Sequence, residues 1–274
     1  MKIIFSRKGF DSTEAGGGAP SPIIDGKPCS FPIPGTGPTR YGDLRNGVGE
    51  LIEQLTHWKR ADYCHLDPDI DISALSRPRG WRGAFGQVGP AQGHLQRQGV
   101  GRGDLFLFWG WFRPAKLEGC SGYVGESEHR IFGWLQVDDV LTIGNQADEA
   151  LTQYPWLRDH PHVHSKGWPP SNTIYIASKR LRINGGAFAL PGWGVFHRGL
   201  RLTAPHMPRS KWAVPDWLNP KKQGVGLSRC KPNRWHRSGL LNLPPGQEFV
   251  ADISGREDAK SWLAELFLCE IESL

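Results

Sequence analysis

The sequence predicts an α+β fold: a curved, barrel-like sheet, mixed or antiparallel, with a few peripheral helices including one at the C-terminus. Three observations carry this. The 35 Gly and 22 Pro of the 274-residue chain favour short strands and loops over helical bundles. Residues 104–113 and 130–137 are apolar on both alternating faces, the pattern of strands buried on both sides. Residues 254–267 combine a capping pattern, Ser254 with Glu257, with an apolar helical face of Ala259, Trp262, Leu263, Leu266 and Phe267.

The other elements follow in order. Lys2–Ser6 reads as a strand ending before Gly9, where a glycine loop, Gly16-Gly17-Gly18, begins. Prolines at 20 and 22 oppose a helix after that loop. A phosphate-cradling glycine loop needs such a helix, so P-loop and dinucleotide-binding folds are excluded. Residues 22–34 read as a hairpin turning at Asp25-Gly26. Residues 47–60 carry Val48, Leu51, Ile52, Leu55 and Trp58 at helical spacing with Asn46 as cap. Residues 61–103 show little apolar periodicity and read as a long irregular stretch. The strands at 104–113 and 130–137 pair as an antiparallel hairpin. Gly110 and Gly133 within them mark a bulge, a corner or a close backbone approach. Residues 145–157 read as a short helix, and 172–177, 194–196 and 200–203 as strands. No internal repeat or linker appears, so one domain is expected over residues 1–274.

Five widely spaced cysteines without a Cys-x-x-Cys pair argue against a disulfide framework or a structural zinc site. The N-terminus lacks a signal-peptide pattern, and the longest apolar run is too short for a bilayer. A cytoplasmic protein with no membrane partner is expected.

The charge is localised. Residues 196–239 hold ten Lys and Arg against Asp216 alone, a local +9 in a chain of net +6. Arg209, Lys211, Lys221, Lys222, Arg234 and Arg237 are the candidate nucleic-acid contacts, interleaved with Trp212, Trp217 and Trp235. Basic residues neutralise phosphates and planar rings stack on unpaired bases. The partner is therefore a polyanion, nucleic acid or nucleotide, unless the segment is a solvated basic surface.

Four constellations can carry chemistry. His65-Leu-Asp-Pro-Asp69 groups His65, Asp67 and Asp69, able to act as acid and base or to bind a divalent cation, or else to form an Asx-type turn. His160, His162 and His164 share one face if extended, a metal-site pattern. Ser6-Arg-Lys-Gly-Phe-Asp11 leaves a strand end with Arg7 and Lys8 for phosphate and Asp11 as base or ligand, or forms a salt-bridged strand end. Gln87, Gln92 and His94 lie among glycines and can read a base edge, or belong to a flexible loop. Nucleophile-elbow, His-Glu-x-x-His and deaminase signatures are absent.

These motifs together resemble the third nucleotide-modification-associated domain family. The resemblance rests on Ser6–Asp11 with its glycines and Pro20-Ser-Pro-Ile23, Phe31-Pro-Ile-Pro34, His65–Asp69, Phe85-Gly-Gln87, Gly103–Arg113, His162, Asn172-Thr-Ile-Tyr175 and Gln247-Glu-Phe-Val250. It implies a phage or bacterial protein associated with modified, including hypermodified, bases in DNA, working beside other DNA-modification enzymes. It directs attention to Asp11, His65, Asp67, Asp69 and the His162 region. Two readings stay open, ahead of an interaction subunit within a modification or defence complex. One is an enzyme acting on a nucleotide or on a base in DNA, with a divalent metal as the candidate cofactor. The other is a non-catalytic reader in which Trp109, Trp111 or Trp134 stacks on the base in a barrel-like aromatic pocket.

Overall fold

The computed structural model describes residues 1–11, 17–118, 122–144, 146–164, 167–183 and 185–272. Ser12, Thr13, Gly16, Cys120 and Asn145 lie outside them.

The N-terminal half contributes strands β1 (Lys2–Arg7), β2 (Ser21–Ile24), β3 (Lys27–Pro28), β4 (Ile33–Arg40), β5 (Tyr63–His65), β6 (Ala84–Gln87), β7 (Leu105–Lys116) and β8 (Gly122–Tyr123). The C-terminal half contributes β9 (Glu128–Thr142), β10 (Thr173–Ala177), β11 (Arg182–Ile183), β12 (Gly186–Ala187), β13 (Trp193–Arg201), β14 (Lys211–Ala213), β15 (Leu240–Asn242) and β16 (Glu248–Asp252). The described helices are α1 (Val48–Leu55), α2 (Gly89–Arg97), α3 (Ala147–Gln153), α4 (Pro161–His164) and α5 (Glu257–Ile271).

The main sheet is mixed. Its order is β16-β1-β7-β9-β10-β6, with β13 on β9 and β2 on β7. β1 and β7 are parallel, whereas β7–β9, β9–β10, β10–β6 and β16–β1 are antiparallel. Curvature brings its two ends close: the Gln87 amide on β6 donates to Glu248 on β16 at 2.6 Å. No backbone ladder joins β6 to β16 among the described residues, so no closed barrel is found and the barrel-like part of the expectation is not shown.

Both faces of β7 are buried because each meets its own core. Leu105, Leu107 and Trp109 join Ile3, Phe5, Trp212, Trp217, Trp235 and the α5 stripe Ala259, Leu263, Phe267. Phe106, Phe108 and Phe112 join Ile4, Phe85, Phe132 and Tyr175. The i, i+4, i+8 spacing of the α5 residues puts them on one face, and burying a Leu or Phe contributes roughly 1.5–3 kcal/mol. Gly110 and Gly133 answer to crowding. A Cβ on Gly110 would stand 2.7 Å from the Lys8 carbonyl oxygen, and one on Gly133 2.3 Å from Ile70 Cδ1. The β7–β9 register shifts at Phe108/Trp109, opposite Gly133.

Several expectations are corrected. The helix at 47–60 stops at Leu55 because Thr56 turns extended and its hydroxyl caps the Ile52 carbonyl at 2.7 Å. Asn46 still accepts the Val48 N–H at 3.3 Å. Residues 61–103 are not irregular throughout but hold β5, β6 and α2. Ser254 does not cap α5: its hydroxyl donates to Asp252, and the N-cap is Arg256. The strands expected at 194–196 and 200–203 merge into one bulged strand, β13, which ends at Arg201, and Thr203 makes only an isolated bridge to Trp212. Trp212, Trp217 and Trp235 are at most 4% exposed, so they build the core and cannot stack on bases. No described helix is long and apolar enough to cross a membrane.

Candidate active site

A cleft of about 470 Å³ opens where β1, β5 and β6 end, lined by Arg7, Lys8, Asp11, His65, Asp67, Gln87, His162, Trp168 and Gln247 among others. β1 delivers Arg7 and Lys8. The β4–β5 pair delivers His65, with Asp67 just beyond it. α4, started by Pro161 in the position where a missing N–H costs nothing, delivers His162.

Ligand atoms of His65, Asp67 and His162 lie within 4.8 Å of one another. Asp67 is fixed by the Gly86 N–H, which donates to Oδ1 at 2.7 Å. Its two oxygens lie 3.4 Å from His160 Nε2 and 3.9 Å from His162 Nε2, with its side chain 5% exposed. His160 Nε2 has no hydrogen-bond partner of good geometry, so at 3.4 Å it polarises the carboxylate rather than gripping it. Burial pushes the Asp67 carboxyl up, but the His160, His162 and His65 imidazoles outweigh it and hold it at about 2.

His162 is oriented from behind. Asn172 donates its amide protons to the carbonyls of Gly144 (3.1 Å) and His162 (2.9 Å). Its Oδ1 is therefore an acceptor, 2.7 Å from His162 Nδ1. The proton must sit on Nδ1, leaving an electron pair on Nε2 toward Asp67. Burial drives the ring down to about 4, against the pull of Asp67, so it is neutral at pH 7. Burial also lowers His65 below the ordinary histidine value, despite Asp67. Trp168 stacks flat on His162, centroids 4.5 Å apart and planes at 4°. Gly86 permits the approach: a Cβ there would fall 2.2 Å from the His162 ring.

Beside this cluster, Glu248 is fully buried, and its Oε1 receives Ser6 Oγ (3.0 Å), Lys8 Nζ (3.1 Å) and Gln87 Nε2 (2.6 Å). Arg7 faces Asp11 at 3.7 Å, and Arg209 lies in the field of both while stacking on Trp111 at 4.2 Å.

The sequence expectations are thus redistributed. His65 and Asp67 meet His162, a residue from a different constellation, and Arg7, Lys8, Asp11 and Gln87 line the same cleft. Asp69 is drawn away, its carboxylate gripped by both terminal nitrogens of Arg77. Lys8 is not free for phosphate, because Glu248 takes its charge. Ser6 likewise turns to Glu248. Gln92 binds the Tyr175 hydroxyl and His94 the Ser228 hydroxyl, both buried on α2 outside the cleft. The three histidines do not share an extended face: α4 is helical, and His164 is exposed. Trp109 and Trp134 are at most 3% exposed, which removes two walls of the expected aromatic pocket. Sequence reasoning did not single out Trp168, Asn172 or Glu248 as site residues. Asn172 and Glu248 lay inside motifs of the resemblance, Asn172-Thr-Ile-Tyr175 and Gln247-Glu-Phe-Val250, without a role of their own.

The profile of nucleotide modification associated domain 3 matches residues 2–252. The chain belongs to that family. This nucleotide modification associated domain contains the whole cleft, and α5 lies beyond the matched residues. No curated protein and no solved structure matches the domain.

Proposed function

We propose that the protein is an enzyme that modifies a nucleotide or a base in DNA, with its chemistry at His65, Asp67 and His162. The observation that carries this is the convergence of an ionised, buried carboxylate and two neutral imidazoles in a cleft that Arg7 and Lys8 also line. A pure scaffold has no use for such perturbed groups held in place by further hydrogen bonds. Asp67, as carboxylate, can accept a proton from a substrate group, and the neutral imidazoles can relay it. Asp11, paired with Arg7, and Gln87, bonded to Glu248 and the Val88 N–H, line the part of the cleft where a sugar or a base edge would lie.

The basic segment supports a polymeric substrate. Arg229, Lys231, Asn233, Arg234, Asn242 and Pro244 line a second groove of about 480 Å³. Pro244 is three residues from Gln247 in the cleft wall, a span of at most about 11 Å. Arg209 links the same side to Arg7. A strand of DNA tracking this groove would bring a nucleotide to the cleft, and a base within duplex must be flipped out to enter. Lys211, Lys221, Lys222 and Arg237 are placed on the same segment. Of these, Lys222 is already paired with Asp216 at 2.7 Å.

The test is turnover. Asp67→Asn is expected to abolish modification of nucleotide or DNA while leaving DNA affinity within about twofold. Equal loss of binding and activity, or selective binding of modified DNA with no turnover by the wild type, would replace the enzyme with the reader.

A further inference from the structure

We propose that His65, Asp67 and His162 form a binding site for a divalent transition-metal ion, open to the cleft. The proposal rests on the enzyme reading only for what the metal would be used for.

The geometry suits a cation. Asn172 fixes a proton on His162 Nδ1, so Nε2 is the ring nitrogen left to take a cation. It lies 3.9 Å from Asp67 Oδ2, an anionic oxygen. A positive ion between the two favours both across a buried gap. A metal at about 2.0–2.2 Å from each atom satisfies both. The gap is also the right size, since the ligand atoms of all three residues lie within 4.8 Å of one another. His65 is the third ligand, and all three residues line the cleft, through which water or substrate can reach the ion.

The supporting groups follow the pattern of a metal centre. A ligating histidine donates its other N–H to a carbonyl-type oxygen, and a ligating carboxylate is itself hydrogen-bonded. Here Asn172 serves the histidine and Gly86 N–H serves the carboxylate. His160 Nδ1 accepts the His162 N–H at 3.3 Å, which places the His160 proton on Nε2, toward Asp67 rather than toward the metal. Two imidazoles and one carboxylate with open positions suit iron, cobalt, manganese or zinc in the divalent state, whereas magnesium and calcium favour oxygen-only sets.

The test uses full-length protein stripped with chelator and titrated anaerobically with Co²⁺, followed by calorimetry and by the visible spectrum of the bound ion. One equivalent is expected to bind, with millimolar Mg²⁺ failing to displace it. His162→Ala and Asp67→Asn should each weaken binding at least about 100-fold. Asn172→Leu, a change at a positioning residue, should weaken it about 10–100-fold and alter the Co²⁺ spectrum. His65→Gln, at a partly exposed ring, supplies the same information if the buried variants fail to fold. Saturable binding lost in these variants upholds the site even if no turnover is found. Absence of Co²⁺ binding, or binding that survives all the ligand variants, overturns it. If Asp67→Asn still abolishes turnover in that case, the enzyme stands with metal-free chemistry.

Discussion

Replacing Lys8 by methionine would strand a buried carboxylate. The Lys8 side chain is 11% exposed and the Glu248 side chain not at all, with 3.1 Å between ammonium and carboxylate. Methionine keeps the apolar stem near Phe85, over which the ammonium sits at 4.4 Å, and removes only the charge and its donors. Glu248 would keep the Ser6 and Gln87 donors on Oε1, while its Oε2 already has no hydrogen-bond partner. Breaking such a pair from one side costs about 3–5 kcal/mol, because the remaining charge is uncompensated. At about 2–4 °C per kcal/mol for a chain of this size, the melting temperature should fall by roughly 10 °C. The double variant Lys8→Met/Glu248→Gln removes both charges. It should recover most of that loss, a coupling of about 2 kcal/mol or more. Urea denaturation of the four proteins at constant m-value measures this. A Lys8→Met cost below about 1 kcal/mol, or two single losses that simply add, would show that the charge on Glu248 is stabilised by something other than Lys8.

Further outcomes follow from other sites. His129 is buried, its Nδ1 accepting the Trp212 indole N–H at 3.0 Å; burial, with Arg209 and Arg7, lowers it to about 3. Its folded value lies below the unfolded 6.5, so its contribution is complete above pH 6.5 and is lost as pH falls toward 3, on the order of 5 kcal/mol. His129→Gln should flatten stability across that interval, and an unchanged slope in a pH series of denaturation curves would contradict this. Gly86→Ala should push the His162 ring aside, cost about 1–3 kcal/mol and reduce turnover more than it reduces folding; a fully active variant would show that the His162 position is not needed. Neutralising Arg229, Lys231 and Arg234 together should reduce the slope of log affinity against log salt by up to about 0.9 per lost contact on duplex DNA, and fluorescence anisotropy at several salt concentrations would expose an unchanged slope.

The strands that dominate the sheet were legible because each carries enough apolar side chain to declare itself. β7 and β9 are the longest described strands, β10 is buried throughout, and β1 is buried except at its two ends. α2 was illegible for a chemical reason. Its inward residues include Gln92 and His94, polar groups satisfied by Tyr175 and Ser228, so no apolar stripe marks it. The tryptophans of the basic segment misled in the opposite sense. Their neighbours are charged because lysine and arginine reach solvent from the rim of a core, and the rings between them fill it. Within the site, His65 and Asp67 stood out by local density. Their union with His162 depends on a chain return of nearly a hundred residues, and Asn172 and Gly86 gain meaning only from what lies against them. No periodicity encodes such long-range contacts.

Gln87, which ties β6 to β16, is the neighbour of Gly86, which holds Asp67. Two consecutive residues therefore serve as the latch of an otherwise open sheet and as a support of the candidate active site. Any breathing motion that parts the seam must first tug on the carboxylate, and anything that grips the carboxylate tightens the latch. Occupancy of the cleft should accordingly be written into the exchange rates of backbone amides along β6 and β16, far beyond the atoms a ligand could touch.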